Sequence, residues 1–459
     1  MSALWTGEAI SEATGGALSA PFAVSGVAFD SREVQAGDLF VAMKGEAADG
    51  HDFIPKALAA GAAGLLTDRP VEGPHVQVAD TFEGLMALGR ASRARTTAQI
   101  IGVTGSAGKT GTKEALFHAF DRMSFGKAHR SLKSYNNHVG VPLSLARMPA
   151  DTRYGVFEMG MNHEGELRAL TAQVRPNVAI VTTIAPAHIE YFGTEEKIAQ
   201  AKAEIFEGLT AGGTAIIPFD SPHRDLLMRA AERYASRILT FGFGEGADVR
   251  AIEAMAAEEG GTLVSARLPS ASLSFTLSMP GRHWIANALS VLAAVDAVGG
   301  DLGVAGLALA RLPGMPGRGE RKQVRTPDGG EALLIDEAYN ANPASMAATL
   351  AQLGEEKAAR RIAVLGAMKE LGEQSAALHA GLAEPIRAAG VDLVLLVGEE
   401  MTPLADALAR DVAVMHVDSA RDAIERVGTL LRDGDVVLIK GSNSVGLSRV
   451  VTALSAETV

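Results

Sequence analysis

An α/β chain of three domains is what the sequence predicts: a small mixed α/β domain, a central α/β domain built round a phosphate-binding loop, and a doubly wound last domain. Three observations carry this. Apolar runs of strand length alternate with helical periodicity along the whole chain. A long helical pattern near residue 97 and the Pro/Gly-rich Leu312-Pro-Gly-Met-Pro-Gly-Arg-Gly319 interrupt that alternation. Between the two breaks, Ile100-Ile-Gly-Val-Thr-Gly-Ser-Ala-Gly-Lys-Thr-Gly-Thr-Lys-Glu114 reads as strand, glycine turn and helix. The predicted domains are therefore 1–97, 98–313 and 314–459, consistent with a length of 459 residues.

Bulk properties exclude several classes. The 47% hydrophobic content can fill large cores, and no apolar run reaches membrane-spanning length. The N-terminal residues lack the basic start and apolar stretch of a secretory signal. Cysteine is absent, which removes disulfides and thiolate chemistry and fits a reducing compartment. A net charge of −12 argues against a nucleic-acid coat and for local cationic sites that grip an anionic small molecule. A cytoplasmic monomer is expected.

In the first domain, Val24 to Phe29, Leu39 to Met43 and Ala62 to Thr67 read as strands, with a helix from Phe53 to Ala60. Two loops rich in glycine and hydrogen-bonding side chains follow the first two strands, 30–38 and 44–52. Ser31 and Arg32 in the first suit a diphosphate, since arginine offers a forked donor and serine a hydroxyl. By residue type alone, a solvated turn is the favoured reading of this pair. Thr81 to Thr97 reads as one helix leading into the second domain.

There the glycine turn is a phosphate-binding loop. Its N–H groups can close around an anion, the helix N-terminus adds partial positive charge, Lys109 reaches outer phosphates, and the Thr110 hydroxyl can hold Mg²⁺. The spacing is the short form, Gly105-x-x-Gly108-Lys109-Thr110. A polar turn, Ser134 to Pro142, opens a short helix. The strand Tyr154 to Gly160 carries Glu158, an acid where a Mg²⁺ ligand belongs. The strand Val178 to Ile184 leads to His188 on the same rim. Glu195 to Leu209 reads as one amphipathic helix, and by residue type alone its Lys202 belongs on a solvated face. Further strands near Ala215–Pro218, Ile238–Phe241 and Thr262–Leu277 end in what reads as a small antiparallel appendage. Arg282, His283 and Asn287 stand out at the start of a long apolar helix running to Val298.

The last domain alternates strands Ala332–Asp336, Ile362–Leu365, Leu393–Val397 and Val436–Ile439 with helices Pro343–Leu353, Gln374–Ala389, Ala405–Arg410 and Ala420–Arg432. Polar turns at three strand ends, 336–343, 366–372 and 440–444, mark the edge where ligands bind such sheets.

Taken in order, Asp30-Ser-Arg, Thr104-Gly-Ser-Ala-Gly-Lys-Thr110, Asn136-Asn-His-Val-Gly-Val-Pro142, Glu158-Met-Gly-Met-Asn-His163, Ala187-His188, Ala201-Lys202, Gly281-Arg-His and Tyr339-Asn-Ala-Asn-Pro343 resemble the Mur ligases, ATP-dependent enzymes that extend the peptide of the bacterial cell-wall precursor. The resemblance covers essentially the whole chain. It implies a UDP-precursor-binding first domain, a central P-loop nucleotide-binding α/β domain and a Rossmann-like last domain. Within the family it points to the step joining D-alanyl-D-alanine to UDP-N-acetylmuramoyl-tripeptide through an acyl phosphate. Another Mur-type ligase adding a single amino acid, a folylpolyglutamate synthase, or a nucleotide-binding regulatory module without turnover are the competing readings.

By resemblance, the nucleotide is held by Thr104, Gly105, Ser106, Ala107, Gly108, Lys109, Thr110 and Gly111, with Asn287, Arg318, Asp336 and Tyr339 beside it. Thr110 and Glu158 bind one Mg²⁺, and His188 and Lys202 serve a second. Lys109, Lys202, His188 and Asn137 are the implied catalytic residues, with Lys202 carbamylated. Ser31 and Arg32 contact the UDP end of the precursor. Three positions depart from the family pattern: Trp284 stands for a usual asparagine, Ala367 for an acid and Asn443 for a base. The last two lie on neighbouring loops and lose opposite charges, as a salt bridge lost as a unit would.

Overall fold

The computed structural model describes residues 3–45, 48–257 and 261–456; Glu46 and Ala47 of the 44–52 loop lie outside it. The first domain is a five-stranded sheet ordered Ala17–Leu18, His75–Gln77, Gly64–Thr67, Asp38–Val41, Gly26–Ala28, parallel except at its first strand. Asp38–Val41 is buried along its length, as a central parallel strand covered on both faces should be. The run Val24 to Phe29 is not one strand. Val24 pairs with Trp5 in a separate two-stranded ribbon, and the chain re-enters the main sheet at Gly26.

Helix Thr81–Ala94 starts where the Asp80 carboxylate accepts from the N–H groups of Phe82 and Glu83. Its buried Leu85 and Leu88 share a core with Leu143 and Ala146 of the short helix Gly140–Ala146. The Trp5 indole N–H donates to the Ala146 carbonyl at 2.8 Å. The first domain is thereby fastened to the second through packed side chains.

The central sheet has nine strands: Ala128–Arg130, Tyr154–Glu158, Gln99–Thr104, Val178–Val181, Thr214–Pro218, Arg237–Gly242, Val249–Ala256, Thr262–Arg267 and Ser272–Leu277, in that spatial order. The first seven run parallel, and the last two are joined on by antiparallel pairings. The expected appendage is thus a continuation of the main sheet, joined through Val249–Ala256. That strand's outer half is exposed and carries no buried apolar stripe, so periodicity did not mark it. Strands Gln99–Thr104 and Val178–Val181 are adjacent, and the chain crosses over to opposite sides from there. Ligands bind at such a switch point.

Helix Arg282–Ala297 packs through Leu289, Val291 and Leu292 against Leu116 and Phe120 of helix Lys109–Ser124. The expected helix Glu195 to Leu209 changes at Glu204 into a tighter 3₁₀ turn, Glu204–Gly208. Glu204 itself is buried there, accepting from the N–H groups of Gly165 and Arg168 at the start of helix Glu166–Val174.

The last sheet is ordered Glu320–Arg325, Glu331–Glu337, Val436–Lys440, Arg361–Gly366, Leu393–Val397, Ala413–Val417, with only the first pair antiparallel. Its edge strand Glu320–Arg325 escapes sequence reading because it is largely exposed and lacks an apolar run, whereas Ala413–Val417 is mostly apolar and only half-buried. The span Gln374–Ala389 is broken into Ser375–Ala380 and Ala383–Ala388 around Gly381. One contiguous core cluster includes both Ile184 and Ile189 of the central domain and Met368 and Leu371 of the last, so these two domains are packed together.

Candidate active site

The phosphate loop joins strand Gln99–Thr104 to helix Lys109–Ser124. Gly105 has φ +152° and Gly108 φ +81°. A Cβ on Gly105 would lie 1.9 Å from Thr182 Oγ1, and one on Gly108 would lie 2.6 Å from Asn287 Oδ1. Glycine is required at both by conformation and by close approach. Lys109 Nζ donates to the Gly105 carbonyl at 2.7 Å, curling back over the loop it serves.

A cavity of about 440 Å³ opens in front of this loop. Its walls come from the central and last domains, and they include Ser106 to Gly111, Glu158, His188, Lys202, Asn287, Arg318 and Tyr339. Thr104, Gly105 and Asp336 stand behind the wall. Asp336 is buried, and its oxygens accept from the N–H groups of Gly317 at 2.8 Å and Ala338 at 3.1 Å. Burial raises its pKa. It braces the linker carrying Arg318, whose guanidinium lies 4.1 Å from the Tyr339 ring centre and donates to Ser134 Oγ.

Glu158 is 1% exposed. Thr110 Oγ1 donates to one of its oxygens at 2.9 Å and Asn136 Nδ2 to the other at 2.8 Å, with Lys113 Nζ 3.8 Å away. Thr110 and Glu158 thus form a pair of hard oxygen donors beside the phosphate loop, the chemistry that suits Mg²⁺. Among the described residues no cluster of three or more His, Cys, Asp or Glu could hold a metal. An ion at Thr110 and Glu158 would take its remaining ligands from phosphates and water, as Mg²⁺ commonly does.

Asn136, not Asn137, reaches this centre. The Asn137 side chain turns to the other side of the chain, where Oδ1 accepts from the Gly140 N–H at 2.9 Å and starts the helix Gly140–Ala146. The sequence offers two adjacent asparagines, and only the direction of the backbone separates them.

Lys202 corrects the expectation from its residue type. It is 2% exposed, lines the cavity, and among the described residues its side-chain nitrogen has no hydrogen-bonding or ionic partner. Burial, with Lys109 nearby adding repulsion, holds its pKa well below the ordinary lysine range. Burial also lowers Lys109; Arg318 adds to this and Glu158 opposes it. His188 lines the same cavity, with Nδ1 hydrogen-bonded to the Glu370 carboxylate of the last domain.

Several residues here went unread in the sequence. Lys440 is 2% exposed and donates to Glu337 at 3.2 Å and to the Asn340 carbonyl at 3.0 Å, forming a buried ion pair on the cavity wall. Asn342 Nδ2 donates across the domain boundary to the Ser106 carbonyl at 3.1 Å. Asn342 and Lys440 lie in the strand-end turns 336–343 and 440–444 that the sequence marked, and Lys113 follows the phosphate loop in helix Lys109–Ser124, but polar residues are ordinary at such places and nothing singled these three out.

Ser31 and Arg32 lie elsewhere, in a cleft of about 1020 Å³ walled by both the first and central domains. Lys44, Lys56, Phe29, Phe82, Tyr135 and His138 share its lining. Arg32 is exposed and forms a fork on Asp30, with contacts of 2.9 Å and 2.6 Å. That hydrogen bond lowers the Asp30 pKa to about 2. The cleft and the phosphate-loop cavity share the loop 134–138 as a wall: Ser134 and Asn136 line one, Tyr135, Asn137 and His138 the other. Among the described residues no helix is long and apolar enough to cross a membrane.

Comparison with known proteins agrees with this geometry. Residues 23–94 match the Mur ligase family catalytic domain, 103–295 the Mur ligase middle domain, and 317–443 the Mur ligase glutamate ligase domain. The chain is 36% identical to the UDP-N-acetylmuramoyl-tripeptide–D-alanyl-D-alanine ligase of Synechocystis, covering 96% of this chain and 94% of that one. It is 34% identical to the enzyme of the same name from Escherichia coli, over 95% and 94%. Among solved structures, MurF from Acinetobacter baumannii superposes with a TM-score of 0.85 at 28% identity, covering 98% of this chain and 99% of that one. MurF ligase from Thermotoga maritima in complex with ADP gives 0.79 at 29% identity, over 95% and 98%. With all three domain types present in order and full-length relatives above 30% identity, the chain belongs to the Mur ligase family.

Proposed function

We propose that this chain is an ATP-dependent ligase that joins the amine of D-alanyl-D-alanine to the terminal carboxylate of UDP-N-acetylmuramoyl-tripeptide, releasing ADP and phosphate. The observation that carries the substrate assignment is its similarity, over more than nine-tenths of each chain, to relatives named for that reaction. The cavity chemistry supports the mechanism.

A carboxylate is a poor electrophile. In this reading a tripeptide carboxylate oxygen attacks the γ-phosphorus of ATP, the bond to ADP breaks, and an acyl phosphate forms. The dipeptide amine then attacks the carbonyl carbon, the C–O bond to phosphate breaks, and the amine gives up a proton. The phosphate-loop N–H groups and Lys109 hold and neutralise the transferring group. Mg²⁺ at Thr110 and Glu158, with a second ion toward His188, supplies further neutralisation of phosphate charge when bound. Asn287, Arg318 and Tyr339 flank the nucleotide. Ser31 and Arg32 serve the UDP end of the precursor in the larger cleft.

Lys202 fits a carbamate. Burial, with no partner among the described residues, lowers the pKa of this amine, so it gives up its proton more readily than an ordinary lysine, and the free amine is the nucleophile. The neutral nitrogen adds to CO₂ and loses one proton, which leaves a carbamate anion that attracts Lys109 where the protonated amine would repel it.

The test is phosphate release from ATP with UDP-N-acetylmuramoyl-tripeptide, with and without D-alanyl-D-alanine. Release requiring both is the expected outcome. Release with a single amino acid in place of the dipeptide would move the enzyme to another Mur-type step. Release only with a folate and glutamate, or no turnover at all, would overturn the reading.

A further inference from the structure

His188 meets the last domain through a contact whose geometry is unusual on both sides. His188 has φ +59° and Glu370 φ +62°, both in the left-handed region that residues with a side chain rarely adopt. The Glu370 carboxylate accepts from His188 Nδ1. The Glu370 carbonyl accepts from the Glu190 N–H at 3.2 Å, two residues beyond the histidine. Gln374 Nε2 reaches the Gly193 carbonyl at 3.4 Å. Gly372, φ +53°, lies so close that a Cβ there would be 3.2 Å from the Glu190 side chain. The loop 370–374 of the last domain is therefore moulded onto the loop 188–193 of the central domain.

With Nδ1–H donated to Glu370, the lone pair of neutral His188 is on Nε2, on a ring that lines the phosphate-loop cavity. Histidines that bind metals are commonly set this way, with a carboxylate on the other ring nitrogen fixing tautomer and orientation. Here that carboxylate comes from a different domain.

We infer that Glu370 is a positioning residue that couples the second metal site to docking of the last domain: the His188 imidazole is held in its ligating orientation only when the 370–374 loop is seated. This rests on the reading of His188 as a ligand to a second ion. Binding of that ion and closure of the last domain then favour each other, as linked equilibria must.

The experiment is Mn²⁺ titration by electron paramagnetic resonance on the full-length wild type, Glu370→Gln and Glu370→Ala, each with a non-hydrolysable ATP analogue. Small-angle scattering follows the radius of gyration of the same samples. Two Mn²⁺ sites are expected in the wild type. In Glu370→Ala the weaker site should lose about 10- to 100-fold in affinity while the tighter site is unchanged. The radius of gyration with metal and analogue should be larger than in the wild type. Glu370→Gln keeps an acceptor for Nδ1–H and should fall between, which guards against a variant that merely misfolds. Two sites of unchanged affinity in a folded Glu370→Ala protein would overturn the inference alone. A single site in the wild type would overturn the metal reading of His188 and this inference with it.

Discussion

Lys202 sets burial against charge more sharply than any other residue of the cavity. Among the described residues its ammonium has no partner, and Lys109 repels it. Between its lowered folded pKa and the ordinary lysine value of 10.5, the unfolded chain binds more protons than the folded one. Stability contributed at this site therefore rises with pH across that window and falls as pH drops. In CO₂-free buffer, Lys202→Met should stabilise the protein against urea at pH 7 by ~1–3 kcal/mol, and the gain should shrink as pH approaches 10.5. The same variant should lose most turnover. A variant less stable than the wild type at pH 7 would show that the ammonium is compensated in solution.

At the scale of elements, two loops decide how substrates are coupled. The 134–138 loop alternates its side chains between the two cavities. Its Tyr135 hydroxyl lies 2.8 Å from both oxygens of Glu33 in the first domain. Glu33 also pairs with Lys133; burial raises its pKa, but the hydrogen bonds from Lys133 and Tyr135 together outweigh this and lower it. Tyr135→Phe removes one such hydrogen bond, a loss of about 0.5–1.5 kcal/mol. The expected result is a roughly 2- to 10-fold rise in KM for the UDP precursor with KM for ATP little changed. An equal rise in both would show that the hydroxyl supports the loop as a whole.

The second pair of loops carries Ala367 and Asn443. The Ser442 N–H donates to the Ala367 carbonyl at 3.1 Å, and the Lys369 N–H to Ser442 Oγ at 3.0 Å, so the two positions sit on touching loops. Ala367 is 1% exposed and Asn443 is exposed. Ala367→Asp alone buries a carboxylate without a partner and should destabilise by roughly 3–5 kcal/mol. Asn443→Arg alone should be nearly neutral. The double variant should recover at least ~1 kcal/mol of the sum in a double-mutant cycle. Additive effects on stability and on KM for the dipeptide would refute the lost salt bridge.

For the whole molecule, the cavity exists because two domains share it. Asn342 serves both: its Oδ1 accepts from the Ser345 N–H at 2.9 Å to cap helix Pro343–Glu355, while Nδ2 donates to the phosphate-loop carbonyl of Ser106. Asn342→Ser keeps a capping oxygen and loses the donation. It should raise KM for ATP by about 2- to 10-fold and leave the melting temperature within ~2 °C. A large drop in melting temperature with unchanged KM would assign the residue to helix stability alone.

What the sequence determined by itself is local. Strand length and apolar continuity marked the buried central strands, and the glycine spacing with Lys109 and Thr110 marked the phosphate loop, because the backbone geometry of each is dictated within a few residues. Exposed strands such as the outer half of Val249–Ala256 and Glu320–Arg325 left no such mark, since a strand with little burial needs no apolar pattern. Resemblance ordered the motifs along the chain, but it did not separate Asn136 from Asn137, move Asp336 off the cavity wall, or pair His188 with Glu370. Those outcomes belong to the tertiary structure. The orientation of a side chain at a loop depends on contacts 22 to 182 residues away in the chain, and the burial that leaves Lys202 without a partner among the described residues is a property of the folded cavity, not of its helix.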